Sequence, residues 1–212
     1  MHATPTPTFT TTTTTPKRPR ILRWRVVDIV VASVIGVASG LIFFVWNTAY
    51  VPLSAPLEPL LPGLQALVGG GWLFAGVLGG LIIRKPGAAL YTELVAAVVS
   101  TLIGNQWGPL TLVSGLAQGL GAELVFAIFL YANYRVYVAV LAGACAGLAL
   151  AINDLLLSYP GSAAAFATIY TASAILSGAL IAGLLSWLAM RGIAKTGALG
   201  RFAAGREIRA DV

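Results

Sequence analysis

Two carboxylates in an otherwise apolar stretch carry the sharpest chemical signal. Glu93 and Glu123 lie in YTELVAAVVSTLIGNQWGPLTLVSGLAQGLGAE, residues 91–123, with no Lys or Arg between them. The stretch reads as two apolar helices joined by a polar corner, Asn105-Gln106-Trp107-Gly108. At about 1.5 Å per residue, Glu93 lies roughly 16 Å below the corner and Glu123 roughly 22 Å below it. In a bilayer whose apolar core is about 30 Å thick, both would sit near the middle. An ionisable group facing lipid there costs at least ~2.5 kcal/mol, so each has a reason to turn inward.

Three uses fit such residues. Each carboxylate could bond a neighbouring Ser, Thr or backbone group and only fix helix packing. One or both could bind a cationic or amine-bearing ligand from the outer side, with aromatic faces adding about 1–2 kcal/mol of cation–π attraction once desolvated. They could also carry protons. Gln118 lies five residues before Glu123, about 140° around the helix, so the two cannot share one narrow face.

The elements that position these groups follow from composition. Of 212 residues, 58% are hydrophobic and 9% charged, with mean hydropathy +0.88. A soluble domain is about 25% charged, so the expected fold is an all-α, polytopic membrane protein. Six apolar spans are expected at about 26–49, 58–83, 87–104, 109–133, 136–157 and 163–190. The second contains Pro62 and Gly69-Gly70-Gly71, which points to a broken or re-entrant outer part. Residues 1–20 form a Thr- and Pro-rich tail, expected to be disordered and not a signal peptide. Residues 21–192 form the transmembrane domain, and 193–212 a basic tail.

The thirteen Lys and Arg fall before span one and after spans two, four and six. The positive-inside rule then puts both termini in the cytoplasm of a cell membrane. A bilayer surface explains the net charge of +6 better than nucleic acid does. One His and one Cys argue against most metal sites. No GxxxxGK[ST] run exists for ATP hydrolysis, and Ser114 has no intramembrane His to activate it. No catalytic residue, cofactor or metal ligand is expected.

Small residues recur at four-residue spacing in the first span, at Ala32, Gly36 and Gly40. Such a stripe lets helices approach closely, and here it is expected to serve a separate membrane partner.

The stretches TELVAAVVSTLIGNQWG and SGLAQGLGAELVFA resemble the YkoE family. These are the substrate-binding (S) components of energy-coupling-factor (ECF) vitamin transporters, associated with thiamine and its hydroxymethylpyrimidine precursor. The resemblance implies a binding subunit that captures the vitamin outside. A transmembrane coupling (T) protein and two cytoplasmic ATPases would drive uptake. It implies Glu93 and Glu123 facing the aminopyrimidine or thiazolium, with Gln106, Trp107 and Gln118 also inside the matching stretches. Trp46 is a further stacking candidate, and Asn47, Asn153 and Tyr170 are hydrogen-bonding candidates chosen by depth. The competing readings are a stand-alone proton-coupled carrier of a small cationic nutrient, and an assembly protein with no ligand.

Overall fold

The computed structural model describes residues 22–210, so the expected tail at 1–20 lies outside the described residues. Every regular element described is helical. Helix α1 spans Val26–Ser54. A 3₁₀ helix, Leu64–Trp72, leads into α2, Phe74–Ile83, with a bend of 40° between them. Then come α3, Ala88–Ile103, α4, Leu110–Ile128, and α5, Val136–Leu157. Helix α6, Ala164–Ser177, continues through a π-helical stretch, Gly178–Leu185, into α7, Ser186–Lys195. A short α8, Ala203–Ala210, follows.

Four helices are long and apolar enough to cross a membrane, or five when the bent pair counts as one span. Helix α3 is apolar but has only 16 residues. The outward faces are hydrophobic, with Val34, Leu102 and Ile128 all more than half exposed. The second span is indeed broken. Its triple glycine is tightly wound 3₁₀ helix, and ordinary α-helix resumes only at Phe74.

Helix α3 packs against α1, α2 and α4. The α1 face of this junction is the small-residue stripe, which corrects its expected role. Ala32 is fully buried. A Cβ on Gly36 would lie 2.7 Å from Val95 Cβ, and one on Gly40 2.6 Å from Val99 Cβ. The stripe therefore faces α3 of the same chain. The β-branched Val95 and Val99 stand where a larger residue on α1 would clash, and glycine lets the two axes close up.

One end of the bundle is basic and tightly sealed. Arg25 Nη2 pairs with Asp28 Oδ1 at 2.7 Å, and Lys85 Nζ lies 3.2 Å from Asp28 Oδ2. Lys85 also donates to the Arg23 carbonyl, and the Trp24 indole N–H to the Pro86 carbonyl. The basic segment after α7 folds back across this end. Leu199, Phe202 and Ala204 are buried, Arg84 Nη1 meets Glu207 Oε2 at 2.5 Å, and the Arg84 guanidinium sits 4.6 Å from the Tyr134 ring centroid.

Candidate functional site

A cavity of about 200 Å³ opens toward the other end of the bundle. Its walls come from α1 (Phe43, Asn47, Tyr50), the 3₁₀ segment (Gln65, Trp72), α3 (Glu93), the polar corner (Gln106, Trp107), α4 (Thr111, Ser114, Gln118), α5 (Asn153, Asp154) and α6 (Tyr170).

Glu93 is the deepest polar group, only 1% exposed. Its Oε2 accepts the Gly76 N–H at 2.6 Å. Gly76 lies in the first turn of α2, where backbone N–H groups have no intrahelical acceptor and the helix dipole favours an anion. The break in the second span puts that helix start inside the bundle. Glycine at 76 leaves room for this approach, since a Cβ there would lie 3.1 Å from both Glu93 Oε2 and the Ala89 carbonyl. The other oxygen, Oε1, is buried without a protein hydrogen-bond partner. One oxygen thus anchors the carboxylate, and the other is left to accept from a group outside the protein.

Aromatic rings form one wall. Tyr50, Trp72 and Trp107 are in mutual contact, with centroids 5.0 Å apart for Tyr50–Trp72, 5.7 Å for Tyr50–Trp107 and 5.2 Å for Trp72–Trp107. Asn47 steadies this wall. It accepts the Trp72 indole N–H at 2.8 Å and donates to Ser100 Oγ at 3.1 Å. Trp107 is set by the corner itself, where Asn105 Oδ1 accepts the Trp107 N–H at 2.9 Å and the Thr111 hydroxyl at 3.0 Å.

A second carboxylate, Asp154, stands near the end of α5. Its Oδ2 accepts the Tyr170 hydroxyl at 2.7 Å, and its Oδ1 accepts the Asn153 amide at 3.1 Å. Asn153 also donates to Ser114 Oγ at 2.9 Å.

Of the residues expected from sequence, Glu93, Gln106, Trp107, Gln118, Asn47, Asn153 and Tyr170 line this cavity. Trp46 does not. Its indole N–H donates to the Val68 carbonyl at 3.1 Å, and its ring lies against Gly71. Glu123 is also a correction. Its Oε1 accepts the Gly87 N–H at 2.6 Å and the Tyr131 hydroxyl at 2.8 Å, and its Oε2 accepts the Ala89 N–H at 2.9 Å. It caps the start of α3, which has no side-chain cap of its own. At about 1.5 Å per residue a helix of α3's length is roughly 24 Å long, so a depth of roughly 22 Å on α4 reaches α3's first turn. The second carboxylate of the cavity is therefore Asp154. Trp72, Tyr50 and Gln65 are further lining residues that the sequence reading did not select.

Among the described residues no three His, Cys, Asp or Glu side chains gather as a metal site. The lining offers anionic, aromatic and amide groups without Lys, Arg or His. A helical membrane bundle with such a pocket at one end suits a substrate-capturing subunit. The comparisons agree. The model of the ABC-type cobalt transport system permease component matches residues 27–149. The crystal structure of an S-component of an ECF transporter aligns with a TM-score of 0.75 at 32% identity, covering 89% of this chain and 95% of that one. The putative HMP/thiamine permease protein YkoE of Bacillus subtilis (strain 168) is 35% identical over 187 residues, 88% of this chain and 92% of that protein. This chain is an ECF-transporter S component, a multi-pass membrane protein with a substrate-binding role. Within that class it belongs to the YkoE family.

Proposed function

We propose that this S component captures thiamine or its hydroxymethylpyrimidine precursor from outside the plasma membrane. Uptake is then driven by a transmembrane coupling protein and two cytoplasmic ATPases. In this reading the chain crosses the bilayer six times, with the broken second span and short α3 both counted as crossings. The basic end and both termini face the cytoplasm.

The observation that carries the reading is the free, buried oxygen of Glu93 beneath the Tyr50–Trp72–Trp107 wall. An aminopyrimidine presents N–H donors to such an oxygen. A thiazolium gains from aromatic faces and from a nearby carboxylate, here Asp154. Gln106, Gln118, Asn47, Asn153 and Tyr170 supply the polar lining. The YkoE relative's description names the same two compounds. Cobalt, named in the family description, fits less well, because the lining holds oxygen donors and no imidazole or thiolate.

Calorimetric titration of the detergent-purified chain with each compound, without ATP, tests the proposal. One-to-one saturable binding of at least one is expected. Folded protein that takes up neither, and carries neither in native mass spectra, would overturn it.

A further inference from the structure

We infer that the pocket rejects phosphate esters of its ligand, and that Asp154 sets this preference. The inference rests on the vitamin-capture reading above and specifies the chemical form captured. Both cavity carboxylates are bonded by neutral groups. Asp154 accepts from Tyr170 and Asn153, and Glu93 from the Gly76 N–H. Glu93 has a free oxygen buried in the pocket. Among the described residues, no Lys, Arg or His lines the cavity.

The whole mouth end shares this bias. No Lys or Arg occurs between residues 26 and 83, 86 and 134, or 136 and 190. Arg135 immediately precedes α5 while Asp154 lies near its far end, so the two are roughly 28 Å apart along the helix. Lys85 is held at the basic end by Asp28. Glu58, in the connection after α1, adds a further carboxylate close enough to act electrostatically on Tyr50 of the cavity wall.

A phosphate could instead seek a helix N-terminus. Helix α4 starts beside the cavity, but Pro109 has no N–H to give. The Thr111 and Leu112 N–H groups already donate to the Gly108 and Pro109 carbonyls, at 3.2 and 3.0 Å. The start of α2 is occupied by Glu93. Among the described residues lining the cavity, a phosphoryl group therefore meets the Asp154 and Glu93 carboxyl groups and finds no cation. Rejecting the wrong ligand by repulsion is a common source of specificity.

The capture step consequently takes the free alcohol. Where the environment supplies an ester, a phosphatase reaction must come first. Water cleaves the O–P bond and releases the alcohol and inorganic phosphate.

The pair hydroxymethylpyrimidine and hydroxymethylpyrimidine phosphate isolates the effect, because the ring is common to both. Their dissociation constants are measured by titration of full-length protein in nanodiscs. Wild type is expected to favour the alcohol by about 100-fold or more. Asp154→Asn is expected to narrow that ratio by about tenfold. Ser158→Lys, at an exposed position on the cavity rim, should narrow it similarly by adding a cation. Tryptophan fluorescence and gel filtration check that each variant folds. Ester binding within about threefold of the alcohol in wild type overturns the inference while leaving vitamin capture intact. A ratio unchanged in folded Asp154→Asn overturns the role of Asp154. Folded wild type that binds neither member of this pair nor thiamine overturns vitamin capture, and this inference with it.

Discussion

Glu93 and Glu123 are the same residue type in the same pair of helices, and their surroundings give them different work. Glu93 keeps one oxygen without a protein partner, whereas Glu123 gives both to α3 and Tyr131. Glu93→Gln retains an acceptor for Gly76 but replaces the second acceptor oxygen with an amide donor that faces the ligand's own donor. Leaving a buried donor unsatisfied costs about 1–3 kcal/mol, so affinity for thiamine should fall about 10- to 100-fold in calorimetric titration. Unchanged affinity would remove Glu93 from the site. Glu123→Gln should behave oppositely. The ligand's dissociation constant should stay within about threefold, while the thermal midpoint in detergent falls by about 2–6 °C as α3 loses its anionic cap. A large affinity loss with no change in midpoint would restore Glu123 to the binding site. Tyr131, in the connection after α4, adds a pH signature. Burial and the Glu123 carboxylate push its hydroxyl up to about 12. Its contribution to stability is fully present below the unfolded value of about 10 and is lost as pH rises through about 12. Tyr131→Phe should flatten the alkaline decline in thermal midpoint over that window.

At the scale of elements, hydropathy made most of the architecture legible. The fifth span, expected at 136–157, is α5 with the same ends. Pro62 and the triple glycine marked the broken second span. The 140° separation of Gln118 from Glu123 was also informative, because Gln118 lines the cavity and Glu123 does not. What stayed illegible has physical causes. Depth along α4 was readable for Glu123, but depth alone does not reveal that the short α3 begins there. Trp72 sits in a 3₁₀ segment whose winding departs from the 3.6-residue period, so a helical wheel does not place it. Asp154 falls inside the expected fifth span, but hydropathy gives no sign of which way its side chain faces, and the structure carries it onto the cavity wall. The small-residue stripe of α1 is the most instructive case, since glycine spacing permits close approach without naming the neighbour. With Val95 and Val99 opposite, Gly36→Val or Gly40→Val should overpack the α1–α3 junction, costing about 1–3 kcal/mol. Thermal melting in detergent should show the loss. Wild-type melting with weakened assembly with a coupling protein would return the stripe to the partner interface.

Across the whole molecule the cavity is blind. Beneath Glu93 the bundle is filled by buried Val77, Leu81, Phe126 and Val138. Below them the Arg25–Asp28–Lys85 network and the folded-back segment carrying Phe202 close the basic end. Interiors as dense as this do not open without displacing whole elements. A self-sufficient carrier would need a second arrangement open to the other side, usually built from paired broken helices in repeated halves. Here the bent pair Leu64–Trp72 and Phe74–Ile83 is the one such break among the described residues. The chain alone in liposomes should therefore bind radiolabelled thiamine to about one molecule per accessible chain and stop there, whatever pH gradient is imposed. Accumulation that grows with time and follows the gradient would show that these helices rearrange by themselves, and the proton-coupled carrier would then be the better description.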